Sequence, residues 1–245
     1  MVLWCVMEKF SLRLVSKGLK LLILLLLLPF AHVDALRSHT LTKEHKHRKV
    51  QSWSSFCLAI LGKKCTVHHQ QQSEHLSHTL IVCNHQGLID PLPIVCAIQS
   101  PLSFVSKIEN KKILGIGEWG KVIDLIYFDR ESREGNVKML RECTQQLKAG
   151  GNVLIFPEGT RSKSDAMNPF KAKAFGIVKM AKANVLPITL SHAYDPFNPK
   201  IKDPLTITIH PLMSYESLKD MDVETLSDTL YDIISSAIQP TTLHT

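Results

Sequence analysis

A chain of 245 residues, 44% of them hydrophobic, can bury one good-sized core, and a single main domain is the default. The formal net charge of +7 is uneven: residues 1–50 hold 9 Lys+Arg against 3 Asp+Glu, and the remaining 195 residues hold 20 against 19. Basicity confined to a head segment argues against a nucleic-acid binder, whose charge would sit on the folded body. It points instead to an anionic membrane surface, where each adjacent basic residue contributes about 1 kcal/mol.

Residues 1–62 read as a membrane-associating helical segment. Its apolar run, residues 21–31 (LLILLLLLPFA), is shorter than the roughly 20 residues a spanning helix needs. Two readings compete. Val33-Asp34-Ala35 resembles a small-residue cleavage site, which makes residues 1–35 a secretory signal. Alternatively the run is a retained anchor, and the weakly amphipathic residues 50–61 (VQSWSSFCLAIL) form a second membrane-contacting helix. Basic residues flank the run on both sides, which suits a segment that dips in and returns. Residues 63–78 follow as a His/Gln-rich linker. With no cysteine or carboxylate frame at ligand spacing, HHQQQSEHLSH reads as solvated chain, and no metal is expected.

Residues 79–245 form the main folded body. Strands are predicted at Thr79–Cys83 and at 103–106, 122–128, 152–156, 185–190 and 205–210. Helices are predicted at 91–99, 111–117, 131–148, 172–183 and 223–238, with Ala149-Gly150-Gly151 as a helix stop. This alternation predicts an α/β fold, a largely parallel sheet flanked by helices, with its site at the carboxyl ends of the strands. The six cysteines are scattered without metal-finger spacing and read as reduced, largely buried thiols, which fits a body facing the cytosol.

Two blocks carry chemistry. At the end of the first predicted strand stands Asn84-His85-Gln86-Gly87-Leu88-Ile89-Asp90-Pro91. Asp90 before Pro91 reads as a helix N-cap with proline at the first helical position. A carboxylate there can accept the His85 Nδ1–H, leaving Nε2 as a base for an acceptor hydroxyl. A chain with this many histidines and aspartates produces such a pair by chance often, so the second block matters more. The buried strand at 152–156 opens into Phe156-Pro157-Glu158-Gly159-Thr160-Arg161-Ser162. Pro157 ends the strand. Gly159 allows a sharp turn that directs backbone N–H groups at an anion. Arg161 supplies a planar fork for phosphate, and Glu158 can hold a glycerol hydroxyl.

The ordered set resembles the 1-acylglycerol-3-phosphate acyltransferase family. Its Asn-His-x4-Asp block is matched at 84–90, its Phe-x-Arg at Phe128-Asp129-Arg130, its Phe-Pro-Glu-Gly-Thr-Arg-Ser at 156–162, and its later β-rich proline at Val185-Leu186-Pro187-Ile188. Phe104-Val105-Ser106-Lys107-Ile108-Glu109 resembles the stretch whose lysine faces the substrate phosphate. The resemblance implies His85 and Asp90 as the catalytic pair. It implies Lys107, Arg130 and Arg161 as phosphate ligands, with Glu158, Gly159 and Thr160 also binding substrate. It also implies a retained two-helix membrane motif; the likeness covers roughly residues 80–190 of the body, which is read as an acyltransferase domain over 79–245. Two positions depart from the family pattern: Gly87 stands where serine is frequent, and Lys173 where glycine is common.

The expected reaction is acyl transfer to lysophosphatidic acid, giving phosphatidic acid. The donor would be acyl-CoA or acyl carrier protein as substrate, with no cofactor. The neighbouring reading is the same chemistry on glycerol-3-phosphate or another lysophospholipid. Lipid hydrolysis is disfavoured because no Gly-x-Ser-x-Gly elbow occurs. A non-catalytic membrane-binding protein is disfavoured by the intact His85, Asp90 and Arg161. The expected partners are a lysophospholipid, an acyl thioester and a membrane surface, with the catalytic domain on its cytoplasmic side and no nucleic acid.

Overall fold

Strand β2 (Thr79–Cys83) is buried at every position, as its unbroken Thr-Leu-Ile-Val-Cys run requires of a strand covered on both faces. The computed structural model in which it lies describes residues 17–129, 132–198 and 200–243. In chain order the elements are helices α1 (Lys17–Leu36) and α2 (Lys43–Leu61), strands β1 (Cys65–His68) and β2, helix α3 (Pro91–Ala97) and strand β3 (Ser103–Lys107). A 3-10 turn over Ile108–Lys112, helix α4 (Ile116–Val122), strand β4 (Ile126–Phe128), helix α5 (Arg133–Lys148) and strand β5 (Asn152–Ile155) follow. A 3-10 turn over Ala172–Phe175 leads into α6 (Gly176–Ala181), then β6 (Asn184–Ser191), β7 (Leu205–Ile209), α7 (Tyr215–Leu218) and α8 (Val223–Ser236).

The seven strands form one sheet in the order β1-β7-β6-β2-β5-β3-β4. Strands β6, β2, β5, β3 and β4 run parallel, β7 is antiparallel to β6, and β1 runs parallel to β7. Side chains alternate across the sheet, and β2 shows how this builds two cores. Ile81 and Cys83 pack with Leu58 and Leu61 of α2 and Ile94 of α3 on one face. Leu80 and Val82 pack with Leu147 of α5, Ile177 of α6 and Leu230 of α8 on the other. The expected helix-flanked, largely parallel α/β sheet is therefore the observed one, and the parallel strands bring their carboxyl ends to a single edge.

Three expectations change. Residues 63–78, read as a solvated linker, contain β1, which pairs with β7 from Cys65 opposite Leu205 to His68 opposite Thr208. The strand is four residues long and only half-buries alternate positions, so its polar half resembled linker. Beyond it, Gln70 Nε2 and Ser73 Oγ both donate to the Ala97 carbonyl at the end of α3, at 3.0 and 3.3 Å. The predicted helix at 111–117 divides into the 3-10 turn and α4, with Gly115 between them at φ +76°. The predicted strand at 122–128 shrinks to Ile126–Phe128, because Val122 closes α4.

Helix α1 has 20 residues with Pro29 inside it and is long and apolar enough to cross a membrane by length and composition. Both of its ends are tied to the domain. Lys20 Nζ donates to the Leu61 carbonyl at 3.1 Å, and Lys17 Nζ stands 5.0 Å from the centre of the Phe197 ring. At the far end Asp34 pairs with Lys49 and accepts from Trp53 Nε1 at 2.9 Å, and Ala35 is fully buried in a cluster with Trp119 and Val122 of α4. Of the residues that resembled a cleavage site, Asp34 and Ala35 are thus held in the fold, while Val33 is exposed. Helix α2 also differs from expectation. Leu58 and Leu61 face the sheet and Trp53 faces α1, so its apolar side lies against the domain rather than outward. The described cysteines are all free, and burial pushes the Cys65 and Cys143 thiols up to about 12, which makes them inert packing groups.

Candidate active site

Strand β2 delivers Asn84 and His85 to the edge of the sheet. Asn84 plugs into β6, its Nδ2 donating to the Leu190 carbonyl at 2.9 Å and its Oδ1 accepting from the Leu190 N–H at 2.8 Å. This side chain extends the ladder where the backbone leaves it, so the next residue starts from a fixed point. His85 is buried and held from three directions. Its Nδ1 meets Asp90 Oδ2 at 2.7 Å, its backbone N–H donates to Glu158 Oε1 at 2.5 Å, and its ring stacks on Phe156 at 4.2 Å between centroids.

Asp90 is fully buried at the start of α3. It is not the side-chain N-cap that the Asp-Pro pair predicts. A capping residue sits in extended backbone, whereas Asp90 is already helical at φ −48°, ψ −40° and makes no cap hydrogen bond. Its carboxylate turns back, accepting the Gly87 N–H on both oxygens at 2.8 and 2.9 Å while holding His85. Burial pushes the Asp90 carboxyl above its usual range, and the His85 and Gly87 donors oppose that push. With Nδ1 directed at Asp90, the His85 Nε2 is left as the basic atom.

Strand β5, next to β2 in the sheet, supplies the second block. Gly159 takes φ +71° and its N–H donates to the Phe156 carbonyl at 3.0 Å, which closes the turn that sequence anticipates. Glu158 is placed differently from expectation. It is buried, and Oε1 and Oε2 accept the backbone N–H groups of His85 and Asn168, the second at 2.7 Å. Both oxygens are occupied by the protein, so the residue braces the His85 loop. Burial pushes its carboxyl up as well. Thr160 and Arg161 are exposed at the loop. The Ser162 and Lys163 N–H groups bond the His85 and Gln86 carbonyls at 2.8 and 3.1 Å, locking the two blocks together.

Arg161 lines a cavity of about 360 Å³ with Gln86, Gly87, Lys163, Tyr194 and Asp195. Gly87 lets this loop lie close against the chain after β6, because a Cβ there would stand 2.3 Å from the Ala193 carbonyl oxygen. The Ala193 N–H in turn donates to Gln86 Oε1 at 2.9 Å. Lys163, Tyr194 and Asp195 were not singled out by sequence. Tyr194 and Asp195 reach the cavity from the end of β6, an approach no local motif announces, and Lys163 reaches it from the loop after β5. Lys171 was also passed over, although a Cβ on Gly159 would stand only 2.6 Å from its Nζ. Lys173, the second departure from the family pattern, is exposed within the 3-10 turn.

Lys107 ends β3, two strands from β2, on the same edge as His85 and Arg161. Strand spacing puts it about 10 Å from the β2 axis, the span of a small phosphorylated group rather than of a direct contact. Lys107 pairs in register with Phe128 of β4. Arg130, two residues further, lies outside the described residues.

Residues 64–191 match the family model described as Acyltransferase. Over 109 residues the chain is 38% identical to a 1-acyl-sn-glycerol-3-phosphate acyltransferase of Chlamydomonas reinhardtii, a stretch covering 44% of this chain and 32% of that protein. Over 122 residues it is 33% identical to a 1-acyl-sn-glycerol-3-phosphate acyltransferase of Helicobacter pylori, covering 49% of this chain and 52% of that one. The chain thus spans between a third and about half of the length of these curated relatives. The crystal structure of the 1-acyl-sn-glycerophosphate (LPA) acyltransferase PlsC from Thermotoga maritima superposes with a TM-score of 0.75, covering 89% of this chain and 91% of that one. At 19% identity that likeness is one of fold.

Proposed function

The chain belongs to the acyltransferase family, and on that footing we propose that it moves a fatty acyl group from acyl-CoA or acyl carrier protein to the free hydroxyl of lysophosphatidic acid. The observation that carries this reading is the buried His85–Asp90 pair at 2.7 Å beside the Arg161 loop, on one edge of a parallel sheet. The curated relatives are named for 1-acyl-glycerol-3-phosphate, which supports the choice of acceptor.

The acceptor hydroxyl gives its proton to His85 Nε2 as its oxygen attacks the thioester carbonyl carbon. Asp90 stabilises the imidazolium that forms. The tetrahedral intermediate collapses, the carbon–sulfur bond breaks, and the proton passes from His85 to the leaving thiolate. The products are phosphatidic acid and a free thiol. Arg161 and Lys107, with Arg130, supply positive charge for the acceptor phosphate. In this scheme α1 holds the domain at a membrane, with the catalytic edge on the cytoplasmic side.

A second reading has one observation in its favour. Asp195 lines the same cavity as Arg161 and Lys163, so both signs of charge face one space. A zwitterionic lysophospholipid matches that pattern better than a bare phosphate does.

The purified protein is incubated with acyl-CoA or acyl carrier protein thioester and a panel of lyso-acceptors, and lipid products are identified by mass. Phosphatidic acid as the main product supports the first reading, and a larger phospholipid supports the second. Failure to acylate any acceptor would sink both. His85→Ala removes the base and lowers the rate by roughly 10² to 10⁴. Retention of a third of the rate by that variant would refute the role given to His85.

A further inference from the structure

We infer that the turn formed by residues 108–116 is a second membrane-inserting element, seated in the same leaflet as α1. Its sequence, Ile-Glu-Asn-Lys-Lys-Ile-Leu-Gly-Ile, sets apolar side chains on either side of a Lys-Lys pair. In a soluble setting the apolar ones would turn inward, yet Ile108, Ile113, Leu114 and Ile116 are each 40–48% exposed. Scattered exposed apolar residues are ordinary, but four within nine positions make a patch that needs an occupant.

Three features make that occupant a lipid leaflet. The first is continuity with α1, which exposes Leu25, Leu26 and Phe30 by more than 60% each. Gly115 presses so closely on this helix that a Cβ there would stand 2.9 Å from the Leu28 carbonyl oxygen. The turn therefore packs against α1 near its middle, so that both elements can present exposed apolar side chains to one leaflet. The second is charge: Lys111 and Lys112 are exposed inside the turn, and Glu109 is its acidic residue. Lysines beside inserted apolar side chains run their stems along the acyl boundary and leave the ammonium at anionic headgroups. The third is position. The turn begins immediately after Lys107, the last residue of β3, so inserting Ile108 and Ile113 brings Lys107 to headgroup depth. A lipid phosphate would meet that lysine without the lipid leaving its leaflet. The second membrane contact expected of α2, whose apolar side is buried, is supplied by this turn.

The inference uses the placement of α1 at a membrane proposed above, and its readout is separable from acyl transfer. The full chain is assayed by flotation with phosphatidylcholine vesicles, with and without phosphatidylglycerol. Loss of two half-exposed aliphatic side chains in Ile113→Ser with Leu114→Ser should weaken vesicle binding about tenfold to a hundredfold. Lys111→Gln with Lys112→Gln should weaken binding only to the vesicles that contain phosphatidylglycerol, by about fivefold for each lysine. Leu212→Ser, at an exposed leucine elsewhere, should have no effect. A Leu114→Trp variant should show a blue-shifted difference spectrum on vesicles and quenching by brominated lipid. Turn variants that bind like the parent, or an unshifted difference spectrum from the bound tryptophan variant, overturn the inference alone. No vesicle binding by the parent sinks it together with the role of α1. Self-association abolished by the serine substitutions, with vesicle binding intact, would make the turn a subunit contact and also overturn it.

Discussion

The backbone N–H of His85 donates to the carboxylate of Glu158, 73 positions away in sequence, and the other oxygen of Glu158 holds Asn168. The loop that presents the base is therefore set by a buried acid in the turn after the neighbouring strand. Glutamine at 158 keeps one acceptor and places an amide N–H against a backbone donor. A buried donor left unpaired costs about 1–3 kcal/mol, or roughly tenfold to a hundredfold in rate if the loop moves. Glu158→Gln should thus lower kcat by that factor and leave the acceptor KM close to the parent. An acceptor KM that rises instead, at unchanged kcat, would return Glu158 to the hydroxyl-binding role that sequence suggests.

Arg161 is exposed and lines the cavity, and in the proposed reaction it meets the acceptor phosphate. Arg161→Ala should raise the KM for the phosphate acceptor about tenfold to a hundredfold, the loss of a charge-assisted hydrogen bond. Arg161→Lys should recover part of this, because the ammonium keeps the charge and lacks the fork. The donor KM should move much less. Equal damage to both substrates with a lower melting temperature would mean that Arg161 only braces the turn.

Gly87 departs from a family pattern in which serine is frequent, and the structure accounts for glycine at this position. A Cβ would collide with the Ala193 carbonyl oxygen at 2.3 Å. Gly87→Ser should therefore destabilise the chain by about 1–3 kcal/mol, several degrees in melting temperature for a domain of this size. Acyl transfer should fall as well, since Gly87 supplies the N–H that holds Asp90. A variant as stable and active as the parent would show that the loop after β6 yields freely.

His47 is buried on α2, with Nε2 2.9 Å from the Ile98 carbonyl oxygen, and burial depresses its pKa. The unfolded chain takes up a proton as pH falls through about 6.5, before the folded one does. Its contribution to stability is therefore complete above that pH and is lost as pH falls toward the folded value. Melting temperature should drop between about pH 7 and pH 5, and His47→Gln should flatten part of that slope. An unchanged slope in the variant would assign the acid sensitivity elsewhere, with the half-buried His210, whose pKa burial also lowers, next in line.

The central strands were legible because burial on both faces writes a continuous apolar run, and Thr79–Cys83 has the bounds expected of it. The His85–Asp90 pair and the turn at Gly159 were legible because each sits where a strand stops. Local patterns could not show what distant backbone does to them. Asp90 looked like a cap until its helical backbone turned the carboxylate toward Gly87. Glu158 looked free until the His85 and Asn168 N–H groups were found on it. Strand β1 hid in a polar tract because an edge strand needs to bury only every second side chain. Ile113 and Leu114 gave no sign of their exposure, because hydropathy does not say which way a side chain faces.

The strapping of α1 bears on any attempt to obtain a soluble version of the protein. Removing the helix takes away an outward apolar flank, and it also takes away Ala35, under which Trp119 and Val122 are sheltered. The shortened chain would trade one sticky surface for another, with a fresh aromatic at its centre. Polar substitutions on the outer flank, at Leu25, Leu26 and Phe30, would leave that shelter standing and give the more tractable molecule.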